Sequence, residues 1–421
     1  MKILLSSYAC EPSRGSEAEI GWGIALELAK EHQVWVLTRA NNEPVHQHYF
    51  DTLKKGKPDN LNFIYYDLPK WASFYKNKGK RFLVYYYHWQ IMSYFSSRST
   101  FTDNKIDVVH HLTGGMDFFP SGLSFFNAPF VWGPVGGEDT HPEILAHLPL
   151  KDKLQEVKRI LLRGILRNCD PFTWFTRRRA NHVITYSSRS AVTAHKYYQS
   201  INSTVSQGIQ TGLILDKRYK NRKTNFDRGQ VFTIFYAANL IPWKGGRFVV
   251  EAFVKFCLKD NIDARLVIVG SGPLKSDMKA VIDAAGLTDK VEFKGWLSMQ
   301  ELIDFMPHYD VFLYPTFHHG LANICLQSMV MGLPMVCLEG DGIETVIEKG
   351  GGISVKIDYY DNISSNLANA LDKLYLDEDL RQQMSKSAQS IVINYFNYSV
   401  LASNLIPIYA QAITQYENSQ N

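Results

Sequence analysis

The chain has 421 residues, which is too many for one ordinary hydrophobic core and predicts two domains. Its 45% hydrophobic and 20% charged residues are typical of a globular protein, and the net charge of +4 is too small to indicate a nucleic-acid-binding surface. Five scattered cysteines without a Cys-x-x-Cys pair indicate a reducing cytosol and argue against a disulfide framework or a zinc site. No apolar run approaches the ~18 residues of a membrane-spanning helix, and Met1–Leu5 predicts a first strand rather than a signal peptide.

The chain opens with the pattern of a strand, a loop and a helix. Lys2–Ser7 has the pattern of a buried strand, residues 17–28 have helical spacing, and Val34–Thr38 predicts a second strand. This order begins a doubly wound sheet, in which ligands bind at the carboxyl ends of the strands. Gly15 and Ser16 follow the first strand and are therefore candidate ligand-binding residues, with a plain turn and helix start as the alternative.

Further buried strands are predicted at residues 63–68, 106–112 and 129–132. The last two end in polar, glycine-rich loops, and the strand at residues 106–112 carries His110 and His111 near its end. A histidine at a strand end is more often a structural residue, with its ring nitrogens satisfied within the fold, than a catalytic one.

Two segments combine basic residues with aromatic or aliphatic ones. They are residues 71–94 and residues 151–179. The second segment places five apolar residues on one side of a predicted helix: Leu154, Val157, Leu161, Ile165 and Leu166. Such segments suit the surface of an anionic membrane. The alternative is an ordinary amphipathic helix that packs on its own domain.

The second half of the chain repeats the strand-and-loop pattern after a polar, basic linker at residues 208–229. Strands are predicted at residues 231–237 and 266–269, and helices at residues 361–375, 378–395 and 399–417. The loops after these two strands contain Asn239 and Lys244, then Gly272, and Leu297 lies in the following segment, residues 291–297.

Residues 311–338 predict a strand, a loop, a helix and a second strand, with Gly332 and Pro334 ending the helix. The backbone N–H groups of Leu321, Ala322 and Asn323 would open this helix, and a helix N-terminus with free N–H groups binds phosphate well.

In order and spacing, these pieces resemble the retaining glycosyltransferases of the large family four. The segment after residue 311 matches the family's donor-binding loop at His318, Leu326, Met329, Gly332 and Pro334. The Ala-Cys-Glu-Pro and Gly-Pro-Val-Gly-Gly loops resemble one branch of that family. The chain departs from the family pattern at four places. Asn239 replaces an arginine, and His319 and Gln327 replace two acids. Gly133-Pro134 stands where many members of the family have a histidine, so the resemblance implies that His110, His111 or Glu138 supplies the polar group near the reacting sugar.

The resemblance implies the α/β GT-B fold, with two doubly wound, Rossmann-like domains facing a central cleft. Residues 1–207, with a closing helix at 398–421, would bind the acceptor, and residues 208–397 would bind the nucleotide-sugar. The catalytic residues expected from this comparison are His110, Glu138, Lys244 and His319. The donor-binding residues expected from it are Gly15, Ser16, Asn239, Lys244, Gly272, Leu297, Leu321, Ala322, Asn323 and Gln327.

The implied reaction is transfer of a sugar, with retention, from a UDP- or GDP-linked donor to a saccharide or lipid-linked saccharide in surface polysaccharide biosynthesis. The implied reaction needs no metal and no cofactor. The resemblance also implies a cytoplasmic protein, which would contact an anionic membrane surface if the two basic segments bind one. Two alternatives stay open at this stage. One is a catalytically impaired protein of the same fold that acts as a binding or scaffolding subunit, because residues 239, 319 and 327 depart from the pattern. The other is a nucleotide-sugar epimerase of the same architecture.

Overall fold

The computed structural model describes residues 1–12, 14, 16–73, 82–136, 142–185, 201–204, 208–209, 231–259, 262–317, 321–340 and 343–420. The strands are β1 (Lys2–Ser7), β2 (Gln33–Arg39), β3 (Leu61–Tyr66), β4 (Val108–Thr113), β5 (Phe130–Val135), β6 (His182–Thr185), β7 (Ile201–Thr204), β8 (Phe232–Ala237), β9 (Ala264–Val269), β10 (Val291–Gly295), β11 (Val311–Tyr314), β12 (Met335–Leu338) and β13 (Gly352–Val355).

The helices of the N-terminal half are α1 (Ser16–Leu28), α2 (Glu43–Asp51), α3 (Lys70–Ser73), α4 (Phe82–Asn104), α5 (Pro142–His147), α6 (Leu150–Cys169) and α7 (Pro171–Arg179). Those that follow are α8 (Gly246–Cys257), α9 (Lys275–Ala284), α10 (Met299–Phe305), α11 (Asn323–Val330), α12 (Glu344–Glu348), α13 (Ile363–Leu376), α14 (Glu378–Tyr395) and α15 (Tyr398–Gln420). Within the described residues, no helix combines the length and the apolar character that crossing a bilayer requires.

The first sheet has seven strands in the order β3-β2-β1-β4-β5-β6-β7, and every neighbouring pair is parallel. Strands β4 and β5 are buried along their whole length, as expected for a parallel sheet that is covered on both faces. The strand order reverses between β1 and β4. In sheets of this kind, that reversal opens the crevice in which ligands bind.

The second sheet has six parallel strands in the order β10-β9-β8-β11-β12-β13. Its order reverses between β8 and β11, whose register pairs Ile234 with Val311 and Phe235 with Phe312. The loops that follow these two strands therefore lie side by side at the carboxyl edge of the sheet.

The closing helix α15 completes the core of the first sheet. Leu401, Leu405 and Tyr409 are buried with residues of β1, β2 and α1 in one hydrophobic cluster. At Gly23 of α1, a Cβ atom would lie 2.1 Å from the ring of Tyr398, so only glycine allows the two helices to approach this closely. The C-terminal residues are thus part of the core of the first unit.

The chain forms two compact units. The first comprises Met1–Gly137, Val157–Gln210 and Tyr398–Asn421, and the second comprises Glu138–Glu156 and Thr211–Asn397. The sequence analysis assigned residues 138–156 to the N-terminal domain, whereas they cluster with the second unit. Most of the linker expected at residues 208–229 lies outside the described residues.

Candidate functional site

Four loops of the second unit meet at the carboxyl edge of its sheet, after β8, β9, β10 and β11. The loop after β8 bonds to the loop after β9 through Leu240, whose N–H donates to Ser271 (2.9 Å) and whose carbonyl accepts from Leu274 (3.1 Å). The N–H of Gly270 donates to the carbonyl of Gly295 after β10, at 2.7 Å. The N–H of Phe317 after β11 donates to the carbonyl of Trp243 at 3.0 Å. The four loops therefore form one connected rim.

Two glycines allow these loops to touch, backbone against backbone. Gly245 has a φ of +71°, and a Cβ atom there would lie 1.9 Å from the carbonyl oxygen of Pro315. Gly272 has a φ of +156°, and its Cβ would lie 2.4 Å from the carbonyl oxygen of Leu240. Any larger residue at either position would push the loops apart.

Lys244 ends a short 3-10 turn, Pro242–Lys244, directly after the first of these loops. The hydroxyl of Tyr236 donates to the backbone carbonyl of Lys244 at 2.9 Å, and the Lys244 ammonium donates to the hydroxyl of Tyr314 at 3.3 Å. Burial lowers the pKa of Lys244 below the usual value of 10.5. Among the described residues, no carboxylate forms an ion pair with Nζ of Lys244. A partly buried cation beside neutral groups is a favourable site for an anion.

Helix α11 begins next to this lysine. Its N-cap residue, Ala322, provides no side-chain hydrogen bond, so the first N–H groups of the helix have no cap from that residue. Cys325, in the first turn, lies close enough to Lys244 for the two to interact electrostatically. Burial raises the pKa of the Cys325 thiol to about 12, so the thiol is neutral and leaves the positive charge of Lys244 uncompensated. A cation and a helix N-terminus thus lie side by side, and both attract phosphate.

The remaining donor-site candidates are spread around this rim. Leu321, Asn323 and Gln327 are buried, and Oε1 of Gln327 has no hydrogen-bond partner among the described residues. Asn239 is exposed, and Leu297 is half-buried. The structure therefore brings Lys244, Gly272 and residues 321–323 to the same edge of one sheet, together with Asn239, Leu297 and Gln327.

Three candidates lie outside the described residues: Gly15, Glu138 and His319. Ser16 is described only through its backbone, which opens α1. The roles that the sequence analysis gave to these four residues stay predictions.

His110 lies in the interior of the first unit and not at a surface. It is fully buried, with Nε2 at 2.7 Å from the carbonyl oxygen of Gly133 and Nδ1 at 2.8 Å from the hydroxyl of Tyr409. Because a carbonyl only accepts, Nε2 carries the proton and Nδ1 accepts from Tyr409. Burial lowers the pKa of His110 to about 3, so the ring is neutral. Both nitrogens are used within the fold, which corresponds to the structural alternative, and we assign it no catalytic step.

Two contributors were missed by sequence analysis. Tyr314 positions Lys244 although the residues are seventy positions apart, and its only local signal is a tyrosine at the end of a buried strand. In the first unit, the carboxylate of Glu17 accepts from the N–H groups of Gly114 (2.5 Å) and Gly115 (3.2 Å). This contact holds the loop after β4 against the start of α1, at the point where the first sheet reverses its order.

Comparison with known proteins agrees with this architecture. WaaG, a glycosyltransferase involved in lipopolysaccharide biosynthesis, superposes with a TM-score of 0.61 at 15% identity, over 97% of this chain and 99% of WaaG. Anabaena HepE, solved in complex with UDP and glucose, gives a TM-score of 0.57 at 14% identity, over 97% of this chain and 99% of HepE. The chain therefore has the two-domain, Rossmann-like α/β fold of the GT-B glycosyltransferases.

The C-terminal part has a second line of similarity. Residues 217–391 match the family model described as glycosyl transferases group 1, so this part of the chain is similar to that family. The α-D-kanosaminyltransferase of Streptomyces kanamyceticus is 25% identical over 178 residues, which are 42% of this chain and 45% of that protein. The match thus spans about half the length of this curated relative.

Proposed function

We propose that this protein is a glycosyltransferase that moves a sugar from a nucleotide-sugar to a saccharide acceptor. The observation that carries the proposal is Lys244, a partly buried cation held by Tyr314 next to the N-terminus of α11. This is the arrangement that a nucleoside diphosphate needs, and it lies where the strand order of the second sheet reverses. The group 1 family match over the same residues supports the assignment.

In the proposed reaction, the bond between the anomeric carbon and the diphosphate breaks, and negative charge develops on the leaving phosphate oxygen. The oxygen of an acceptor hydroxyl bonds to the anomeric carbon, and the proton of that hydroxyl passes to the leaving nucleoside diphosphate. Lys244 and the N–H groups at residues 321–323 stabilise that charge. Removing one such preorganised donor commonly costs ~3 kcal/mol of barrier. The proposed reaction proceeds with retention at the anomeric carbon, which rests on the resemblance to family four, and no step of it requires a metal.

The donor and acceptor follow from relatives and are proposals. HepE was solved with UDP and glucose, which supports a uridine-linked hexose donor, with a GDP-linked donor as the alternative. WaaG takes part in lipopolysaccharide biosynthesis, which supports a saccharide or lipid-linked saccharide acceptor in surface polysaccharide biosynthesis. We assign the donor to the second unit and the acceptor to the first. We also propose a cytoplasmic location at the inner, anionic surface of a membrane, where such acceptors are made.

The test has two stages. Thermal unfolding is first measured with UDP-glucose, GDP-mannose and related donors, because a ligand at about 100 times its dissociation constant adds ~2.7 kcal/mol to the free energy of unfolding. The donor that stabilises the protein is then incubated with saccharide acceptors, and release of the nucleoside diphosphate is followed with and without acceptor. We expect release that depends on the acceptor. A protein that no nucleotide-sugar stabilises would contradict the proposal.

The same assay separates the alternatives. An epimerase would change the donor sugar in the absence of any acceptor, and product analysis would detect this. A binding subunit would bind the nucleotide-sugar without releasing nucleoside diphosphate. Both WaaG and the kanosaminyltransferase are named as transferases, so we propose the enzyme and not the inactive subunit.

A further inference from the structure

Helix α6 presents its apolar stripe to solvent. Leu154, Val157, Leu161 and Ile165 recur at spacings of three and four residues, so they form one stripe along the helix. Leu154, Leu161 and Ile165 are 61%, 62% and 57% exposed. Of the predicted stripe, Leu166 packs against the core of the first unit, whereas Leu154, Leu161 and Ile165 do not pack on it.

The opposite, polar side of α6 faces the first unit. Arg167 forms an ion pair with Asp117 at 2.7 Å, and the Arg163 guanidinium lies 5.4 Å from the ring centre of Phe118. A helix that packs on its own domain normally turns its apolar stripe inward and its charges outward. From Val157 onward, α6 has the reverse orientation, with Leu161 and Ile165 exposed to solvent and Arg163 and Arg167 against the first unit.

Exposed apolar side chains also occur on the neighbouring helices α7 and α4. Phe172 of α7 packs against Phe125, and Phe125 packs against Tyr94, which contacts Phe95 of α4. Phe95 is 62% exposed, and Phe172 and Trp174 are also exposed. We call this the outer apolar surface, and its members are Phe95, Val157, Leu161, Ile165, Phe172 and Trp174.

Basic residues flank the outer apolar surface. Lys151, Lys158 and Arg178 are exposed, and the Arg178 guanidinium lies 4.2 Å from the ring centre of Trp174. No carboxylate of α6 or α7, both of which the structure describes in full, is exposed. Leucine, isoleucine and aromatic side chains surrounded by lysine and arginine match a bilayer whose headgroups are negative. Their charge does not match a second copy of the same basic surface, because like charges would meet.

We propose that the outer apolar surface docks the protein on an anionic phospholipid bilayer, with α6 lying in the plane of the interface. Leu161 and Ile165 enter the boundary between headgroups and acyl chains, and Lys158 and Arg178 pair with phosphate groups. This proposal rests on the proposed function in one respect only, which is that the docked protein would act on a lipid-linked acceptor. The surface itself shares no residue with the nucleotide site.

In the segment at residues 71–94, Trp71 is 78% exposed, but three aromatic residues of α4 are not available to a membrane. Tyr85, Tyr86 and Trp89 of α4 are buried in the core of the first unit, and the four basic residues at 76, 78, 80 and 81 lie outside the described residues. The expectation that Tyr85, Tyr86 and Trp89 contact a membrane is therefore wrong, because their rings pack inside the first unit.

The test measures sedimentation with vesicles of phosphatidylglycerol and phosphatidylcholine, against vesicles of phosphatidylcholine alone. We expect the wild type to bind the anionic vesicles at low salt and to detach at high salt. Leu161→Ser with Ile165→Ser should weaken binding at least about tenfold, because two largely exposed aliphatic side chains no longer enter the lipid. Lys158→Gln and Arg178→Gln should each weaken it about fivefold.

Matched controls lie on the second unit. Leu258→Ser and Leu376→Ser remove leucines that are 74% and 73% exposed, and Lys373→Gln removes an exposed charge. These three variants should bind vesicles like the wild type. Unchanged binding of UDP by the α6 variants would show that these variants are folded. It would also show that a loss of vesicle binding is independent of the nucleotide site on which the proposed transferase function depends.

A fluorophore on Cys169 gives a second readout, because this cysteine is exposed at the end of α6 while Cys10, Cys325 and Cys337 are buried. With Cys257→Ser as background, the emission should shift to the blue when anionic vesicles are added. Absence of binding by the wild type, or full binding by the Leu161/Ile165 variant, would overturn the proposal. If the wild type were a dimer that bound no vesicles, and if Leu161→Ser with Ile165→Ser converted it to a monomer, the surface would be an interface with a second copy instead.

Discussion

The ammonium nitrogen of Lys244 lies 3.3 Å from the phenolic oxygen of Tyr314, and this contact joins the two strands between which the second sheet reverses its order. Lys244 follows β8, and Tyr314 is the last residue of β11. Burial raises the pKa of Tyr314 well above its usual value, so the phenol stays neutral and accepts the hydrogen bond from the ammonium group. The positive charge is thus held in place without being neutralised.

Replacing Lys244 should weaken nucleotide binding far more than replacing Asn239. A hydrogen bond to a charged group contributes ~1.5–3 kcal/mol, so Lys244→Ala should lower UDP affinity roughly ten- to a hundredfold. Asn239 is exposed and carries no charge, so Asn239→Ala should change affinity by less than about fivefold. Isothermal titration calorimetry measures both. Equal losses would count against Lys244 as the main diphosphate contact.

The pH dependence of UDP binding should report the same lysine. Burial lowers the pKa of Lys244 from 10.5, so the free protein loses this charge at a lower pH than an ordinary lysine does. Affinity for UDP should therefore be full below the pKa of Lys244 and should fall as the pH rises through it. In Lys244→Ala the affinity should not change over that range. An identical decline in both proteins would assign the titration to another group.

Gly245 and Gly286 form a matched pair for testing the loop contact. Both have positive φ, at +71° and +69°, but a Cβ at Gly245 would lie 1.9 Å from Pro315 while Gly286 has open space around it. Gly286→Ala should cost about 1 kcal/mol in the free energy of unfolding, and Gly245→Ala should cost more and also weaken UDP binding. Urea unfolding and calorimetry measure the two effects. If Gly245→Ala and Gly286→Ala destabilised the protein equally and UDP binding stayed intact, the close contact between the loops would not be required for binding.

Tyr409→Phe tests the structural role of His110. The change removes the hydroxyl that donates to Nδ1 and leaves a buried acceptor unpaired, which costs ~1–3 kcal/mol of stability. UDP affinity should stay unchanged. Tyr395→Phe, at an exposed position, is the control and should affect neither quantity. If Tyr409→Phe stopped sugar transfer while stability was unaffected, His110 would return as a catalytic candidate.

His319 and Gln327 should determine which donor is used. Gln327 keeps an acceptor oxygen where an acid is expected, so its effect on ribose binding should be modest, about 1 kcal/mol. His319 replaces an acid that would contact the transferred sugar, so we expect the protein to take a different sugar from its acidic relatives or one with a negative group. His319→Glu with Gln327→Glu should therefore change donor choice in a transfer assay. The same donor with only a faster turnover would refute this.

The strands could be predicted from sequence because apolar runs are local. The expected bounds of the first strand, residues 2–7, and of the strand at 311–314 are those observed for β1 and β11. The contact between Lys244 and Tyr314 could not be predicted, because it depends on which strands become neighbours in the sheet. Periodicity likewise identified the stripe on α6 but contains no information about which side of a helix faces its own domain. The bonding of His110 was beyond reach for the same reason, since Tyr409 is 299 residues away.

The position of α15 has a consequence for how the protein is made. The first unit needs residues from both ends of the chain, because Leu401, Leu405 and Tyr409 complete a core built on β1 and α1. During synthesis on the ribosome, the second unit has all of its residues before the first unit does. The N-terminal sheet must therefore wait with part of its apolar surface uncovered while more than two hundred further residues are added. Chaperones that bind exposed apolar segments should accordingly engage this half of the nascent chain the longest.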